Sequence, residues 1–326
     1  MGTPARPSFF VSHSEYFYLH IPLTGDLTTQ NSRRARVPVL HAFRERQLRQ
    51  LQPLKAIMSQ TPKPEPTVSQ LFDLTGKRAL ITGSTGYLGS AMSRALAEAG
   101  ASVIATSREL EKAQAVAAAL PSPHGAKHIG AALDQMTPDL LDEQFARIVD
   151  QAGPIDILIN NGHAAEPADW TNITAEQFST QLTNSTGYFI LARLLRNHAV
   201  ERKSPASIVM LGSMYGVVGS YPDAYEGVCA ASSVAYHALK GGIVHMTRHL
   251  GVYWAKDQVR VNCLSPGPFP PERISPTLVA RLSAKSPMGR MGIPAELKGS
   301  VVFLASNASS YMTGQNLIID GGWTSW

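Results

Sequence analysis

The stretch ITGSTGYLGSAM, residues 81–92, joins a short apolar run to one with the composition of a helix. Gly83, Gly86 and Gly89 recur in it at every third position. Glycine reaches positive φ without steric penalty and lets a bound group approach the main chain closely. A helix N-terminus offers unpaired N–H groups and the positive end of the helix dipole. Strand, glycine turn and helix start, in that order, describe a pyrophosphate cradle built from Gly83, Ser84, Thr85, Gly86, Tyr87, Leu88 and Gly89. A glycine-rich turn with no ligand is the bland alternative, and the flanking pattern argues against it.

Outward from this stretch, short apolar runs alternate with helical patterns. The runs are RALIT (78–82), SVIAT (102–106), HIGAAL (128–133), IDILIN (155–160), ASIVMLG (206–212), VRVNCL (259–264) and NLIID (316–320). Between them lie helical stretches at about 88–99, 108–120, 138–151, 175–199 and 234–256. Continuous apolar strands separated by helices are the mark of a parallel sheet buried on both faces. The fold class is therefore α/β, a single doubly wound parallel sheet of the Rossmann type. Nothing in the chain repeats.

The chain has 326 residues, 44% hydrophobic and 16% charged, as expected of one or two globular domains. No apolar run approaches the roughly 20 residues that span a bilayer. The formal net charge of +5 falls entirely within residues 1–57, and the remainder balances to zero. Nucleic-acid and membrane partners are therefore not expected. Residues 1–57 read as a basic, poorly ordered extension carrying one short helical pattern at 39–51. Residues 58–326 read as the Rossmann domain. Met58 opens a Pro-rich lead into the first strand that resembles a natural start, so the preceding segment is either an upstream extension or a genuine tail. Its apolar start is interrupted by His13, Ser14 and Glu15, unlike a secretory signal. Two cysteines, Cys229 and Cys263, form no disulfide framework and suit a reducing, cytoplasmic compartment.

The second run ends in ATSREL, residues 105–110. Dinucleotide sites that select NAD place a carboxylate here for the ribose hydroxyls. Ser107 and Arg108 stand there instead, and a guanidinium attracts a 2′-phosphate. NADP(H) is favoured, NAD(H) is possible, and an Arg108 that merely opens the next helix in solvent is the alternative.

Further motifs occur in order: Asp134 in ALDQ, NNGH at 160–163, Asn184, Ser213, Tyr236 with Lys240 four residues on, SPG at 265–267, and IIDGGW at 318–323. Together with the glycine stretch, this ordered set resembles the short-chain dehydrogenase/reductase family over about residues 72–326. The overall pattern is similar to its gluconate dehydrogenase-like sugar and polyol oxidoreductases. The resemblance implies a catalytic set of Asn184, Ser213, Tyr236 and Lys240, with no metal. Tyr236 exchanges a proton with a carbonyl or alcohol oxygen, and Ser213 hydrogen-bonds that oxygen. Lys240, one turn along, is expected to lower the phenol pKa and to hold the nicotinamide ribose. Asn184 is expected to hold a water linking Lys240 to solvent. Asn160, Gly162, Pro266 and Gly267 are expected to line the cofactor. Asp134 either binds the adenine amino group or caps a helix. The expected partner is a small-molecule carbonyl or alcohol, and the expected assembly is a homo-oligomer, dimer or tetramer.

Three departures stand out. Tyr87 occupies the usual middle-glycine position. His163 replaces the glycine expected after NNA, and faces either the substrate or solvent. The interval from Ser213 to Tyr236 carries an insertion at 219–232 whose Tyr221, Asp223, Tyr225 and Glu226 face either a hydroxylated substrate or solvent and a neighbouring subunit. The segment after 267 forms a short, proline-stiffened lid with Pro268, Pro270 and Pro271, which suits a small polar substrate. Two other readings remain: a non-catalytic NAD(P)-binding regulatory protein, opposed by the intact catalytic set, and a sugar-nucleotide epimerase or dehydratase, opposed by the lid and the DGGW ending.

Overall fold

The computed structural model describes residues 64–166, 168, 170–230 and 232–325. The chain divides into Met1–Glu65 and Pro66–Trp326, and the second unit carries every strand and helix named below. The expected helix at 39–51 lies outside the described residues.

Seven parallel strands form one sheet in the order β3-β2-β1-β4-β5-β6-β7. They are β1 (Arg78–Ile81), β2 (Ser102–Ser107), β3 (Ile129–Ala132), β4 (Ile157–Asn160), β5 (Ala206–Leu211), β6 (Val259–Pro266) and β7 (Asn316–Ile319). Each expected run has become a strand. The order reverses between β1 and β4, where Ala79 pairs with Ile157 and Ile81 with Ile159. Such a switch point opens a crevice at the C-terminal strand ends.

The helices are α1 (Val68–Phe72), α2 (Tyr87–Glu98), α3 (Leu110–Ala118), α4 (Leu141–Ala152), α5 (Ala175–Glu201), α6 (Pro222–Tyr225), α7 (Val234–Trp254), α8 (Pro276–Lys285) and α9 (Lys298–Ala305). Successive strand residues point to opposite faces, and both faces are covered. Leu80, Leu158, Ile208 and Met210 pack with Phe145 of α4, Leu191 of α5 and Ile243 of α7 on one side. Ile81, Ile159 and Val209 pack with Met92 and Leu96 of α2 and Val301 of α9 on the other. Two-sided burial is why the strands read as continuous apolar runs.

α5 starts at a reciprocal cap. Thr174 Oγ1 accepts from the Gln177 amide N–H while Gln177 Oε1 accepts from that of Thr174. This fixes where the helix begins, and so which of its side chains meet the switch point. Among the described residues, no helix is long and apolar enough to cross a membrane.

Candidate functional site

One cleft of about 620 Å³ lies over the switch point. It brings together Gly83, Thr85, Gly86, Tyr87, Leu88, Gly89, Ser107, Arg108, Asp134, Gly162, Ser213, Tyr236, Lys240, Pro266 and Gly267. These residues come from segments far apart in the chain, and all were expected at the site. Ser84, Asn160 and Asn184 are not among its walls.

The glycine turn is held by close packing. Gly83 has φ +64°, and a Cβ there would lie 2.8 Å from the Gly162 Cα. A Cβ on Gly89 would lie 2.1 Å from the Gly83 carbonyl oxygen. Gly86 is the N-cap of α2 and supplies no side-chain cap, so the first amides of the helix remain open to a ligand. These features fit a pyrophosphate. Ser84 is turned away: its N–H and its hydroxyl both donate to the Thr106 carbonyl at 3.0 Å, tying the turn to β2.

The neighbouring asparagines divide the work. Asn161, which sequence reasoning passed over, donates from Nδ2 to the carbonyls of Thr82 at 2.9 Å and Gly83 at 3.1 Å. Thr82 Oγ1 in turn accepts from the amides of Asn161 and Gly162 at 2.9 and 2.8 Å. Asn160 points the opposite way, donating to the Tyr188 carbonyl at 2.9 Å inside the core. The expectation that its side chain lines the cofactor is corrected by the strand's pleat.

At the far end of the cleft, Arg108 has no ion-pair partner among the described residues, whereas Lys112 pairs with Glu109 at 2.6 Å. Glu109 and Lys112 also line the cleft and were not anticipated. One Asp134 carboxylate oxygen accepts from the Met136 amide at 2.9 Å, a local turn contact. Gln135, the next residue, was also missed. Its Nε2 donates to the Gly162 carbonyl at 2.5 Å and to Asn184 Oδ1 at 3.0 Å, leaving Oε1 buried without a partner.

At the near end, Ser213 follows β5, and its hydroxyl accepts from the Tyr215 amide at 3.1 Å. Tyr236 stands in the first turn of α7, with Lys240 one turn along. Lys240 is 4% exposed and donates to the Leu211 carbonyl at 2.7 Å. Its ammonium lies 5.6 Å from the Tyr236 ring centroid. Burial pulls the Lys240 pKa down to about 8, with Cys263 acting weakly the other way. Burial likewise raises the Tyr236 pKa; Ser213 offsets this and the nearby Tyr225 adds to it. The largest of these effects is upward, because burial disfavours the charged phenolate.

Asn184 is fully engaged. Its Oδ1 accepts from Gln135 Nε2 and from the Ala164 amide, and its Nδ2 donates to the carbonyls of Ala164 and Gln181. A primary amide has two donor hydrogens and two acceptor lone pairs. No side-chain position is left on Asn184 for the expected water.

His163 lines the cleft, with its ring edge-on to Tyr236 at 5.3 Å between centroids. It is open to the cleft, yet the protein around it and the charge of Lys240 push its pKa down to about 4. None of the four insertion residues is in the cleft wall. Tyr225 hydroxyl meets that of Tyr215 at 2.6 Å, and Tyr221 packs on Trp323. Asp223 pairs with Lys285 of α8 at 2.5 Å, and the Glu226 carbonyl accepts from Arg281 at 2.6 Å. The insertion therefore braces α8.

Comparison with known proteins places this geometry among relatives. A family model described as Enoyl-(Acyl carrier protein) reductase matches residues 85–324. A D-arabinitol 2-dehydrogenase [ribulose-forming] of Scheffersomyces stipitis is 32% identical over 281 residues, covering 78% of this chain and 96% of that protein. The crystal structure of a gluconate 5-dehydrogenase from Burkholderia cenocepacia J2315, in complex with NADP and tartrate, aligns with a TM-score of 0.72 at 29% identity. That alignment covers 80% of this chain and all of the other. A short-chain dehydrogenase from Leptospira borgpetersenii with bound NAD+ aligns at 0.69 and 30% identity, covering 81% of this chain and 98% of its own.

Proposed function

We propose, from the premise that the chain belongs to the short-chain dehydrogenase/reductase family, that it is an NADP(H)-preferring oxidoreductase of sugar alcohols or sugar acids. The observation that carries this reading is the convergence of Ser213, Tyr236 and Lys240 with the glycine turn in one cleft.

A nicotinamide dinucleotide bound there supplies the hydride donor or acceptor. The main chain of residues 83–89 and the open N-terminus of α2 hold the pyrophosphate. Pro266 and Gly267 form the wall beside the reacting end. Tyr236 is held as a neutral phenol, the form that donates to a carbonyl oxygen, and Ser213 hydrogen-bonds the same oxygen. Lys240 spends one of its three donors on Leu211, which leaves two for a ribose hydroxyl and for water.

Arg108, without an ion-pair partner among the described residues, supports a 2′-phosphate ligand, while Lys112 is already engaged by Glu109. The substrate class rests on the similarity to polyol and gluconate dehydrogenases. A homo-oligomer, dimer or tetramer, belongs to the same proposal: Val252 is 74% exposed and Tyr253 62% exposed on α7, apolar surface suited to burial against another copy. A cytoplasmic location agrees with the free thiols of Cys229 and Cys263.

The test is a steady-state assay of D-arabinitol and D-gluconate oxidation with NADP+ and with NAD+. Turnover with higher kcat/KM for NADP+ is expected. Equal or better use of NAD+ overturns the cofactor preference, and no turnover of either compound overturns the substrate class.

A further inference from the structure

The loop after β4 is stitched to one face of α5 by three amide side chains. Gln177, Gln181 and Asn184 are spaced by four and three residues, the interval that stacks side chains along a helix. Gln177 Nε2 donates to the Glu166 carboxylate at 3.2 Å. Asn184 holds both the N–H and the carbonyl of Ala164. Gln181 is 1% exposed and reaches His163.

The Gln181 contact determines the state of the imidazole. Gln181 Oε1 accepts from the Glu166 amide N–H at 2.7 Å, and a main-chain N–H can only donate. The other end of the amide is therefore its NH₂ group, which lies 2.7 Å from His163 Nε2. An NH₂ group can only donate as well, so Nε2 must be the unprotonated nitrogen and the proton of the neutral ring sits on Nδ1. Nδ1 has no hydrogen-bond partner among the described residues. The ring carrying it lines the cleft edge-on to Tyr236.

We propose that His163 is a specificity-determining residue whose Nδ1–H, fixed in place by Gln181, donates to a hydroxyl oxygen of the substrate next to the reacting carbon. This rests on the reading of the protein as a polyol or sugar-acid oxidoreductase and narrows it. A neutral donor recognises a hydroxyl oxygen without needing a counter-charge. The amide ladder pre-organises it, so binding does not have to order a free loop side chain.

Two measurements test it. The first needs no substrate: ¹⁵N-histidine-labelled protein is studied by long-range ¹H–¹⁵N correlation, with the His163 signals assigned by their loss in His163→Gln. A protonated Nδ1 and a bare Nε2, unchanged between pH 5.5 and 8, are expected. The opposite tautomer, or titration in that window, overturns the proposal. The second compares wild type with His163→Ala and His163→Gln on whichever of D-arabinitol or D-gluconate is turned over. KM for the polyol is expected to rise about tenfold, the effect of one lost hydrogen bond, with kcat within about threefold and the NADPH Kd within about twofold. An unchanged KM, or a parallel loss of kcat and NADPH affinity, overturns the proposal. If neither compound is turned over by wild type, the functional reading fails, and the tautomer result stands apart from it.

Discussion

Lys240 donates to the carbonyl of Leu211, the last residue of β5, at 2.7 Å. The link fixes the ammonium at the end of a core strand, between the rings of Tyr188 and Tyr236. The pair therefore depends on the sheet for its position as well as on the turn of helix between them.

Tyr236→Phe removes the proton-transferring oxygen but keeps the ring against His163. Turnover should fall by about 10²–10⁴-fold, while NADPH binding measured by fluorescence stays within about twofold. Retained turnover would assign the proton to another group.

Lys240 makes stability depend on pH. Its pKa in the folded protein, about 8, is below the ordinary 10.5. Between these values the unfolded chain binds a proton that the folded protein does not, so this group's contribution to stability rises with pH. Below about 8 its burial penalty is present in full. Lys240→Met lacks this dependence. The Tm of the wild type relative to the variant should therefore increase from pH 8 to pH 10, measured without cofactor. A flat difference would show that the ammonium is solvated.

Arg108 offers a test of cofactor choice. Arg108→Ala should weaken NADPH binding by about tenfold or more and leave NADH within about twofold, by fluorescence titration. Equal losses would mean that the guanidinium contacts something the two cofactors share.

The glycine turn predicts a graded effect. Gly89→Ala brings a Cβ to 2.1 Å from the Gly83 oxygen, whereas the corresponding contact for Gly86→Ala is 3.2 Å. Gly89→Ala should lower Tm by several degrees, roughly 1–3 kcal/mol of overpacking, and Gly86→Ala by much less. Differential scanning calorimetry decides the order.

These sites show what a sequence makes legible. Apolar runs bounded by helical patterns located every strand, because burial on both faces leaves a continuous signal. The motif NNGH located the cleft but not the direction of its side chains. Asn160 and Asn161 are adjacent letters, and the pleat sends Asn160 into the core while Asn161 reaches the glycine turn. Asn184 and Gln181 likewise sit on one helix face, but which loop atoms they bind depends on packing between α5 and the segment after β4. The spacing of Gln177, Gln181 and Asn184 was a usable signal, since three amides on one helix stripe are unusual company for an apolar core. The upward push of burial on the Tyr236 pKa was hidden for a different reason: charge proximity is visible in spacing, whereas depth of burial is a property of the whole fold.

The pairing of Ala79 with Ile157 has a consequence for how this protein is made. The glycine turn comes from one arm of that pair and its Asn161 clamp from the other, with two complete strand–helix units threaded between them. During synthesis the emerging chain therefore displays the motif long before it owns a binding site. Cofactor affinity should arise late and all at once, when a non-local parallel contact closes. A nucleotide present at that moment would act as a latch on the finished architecture, favouring it by mass action over any partly assembled form.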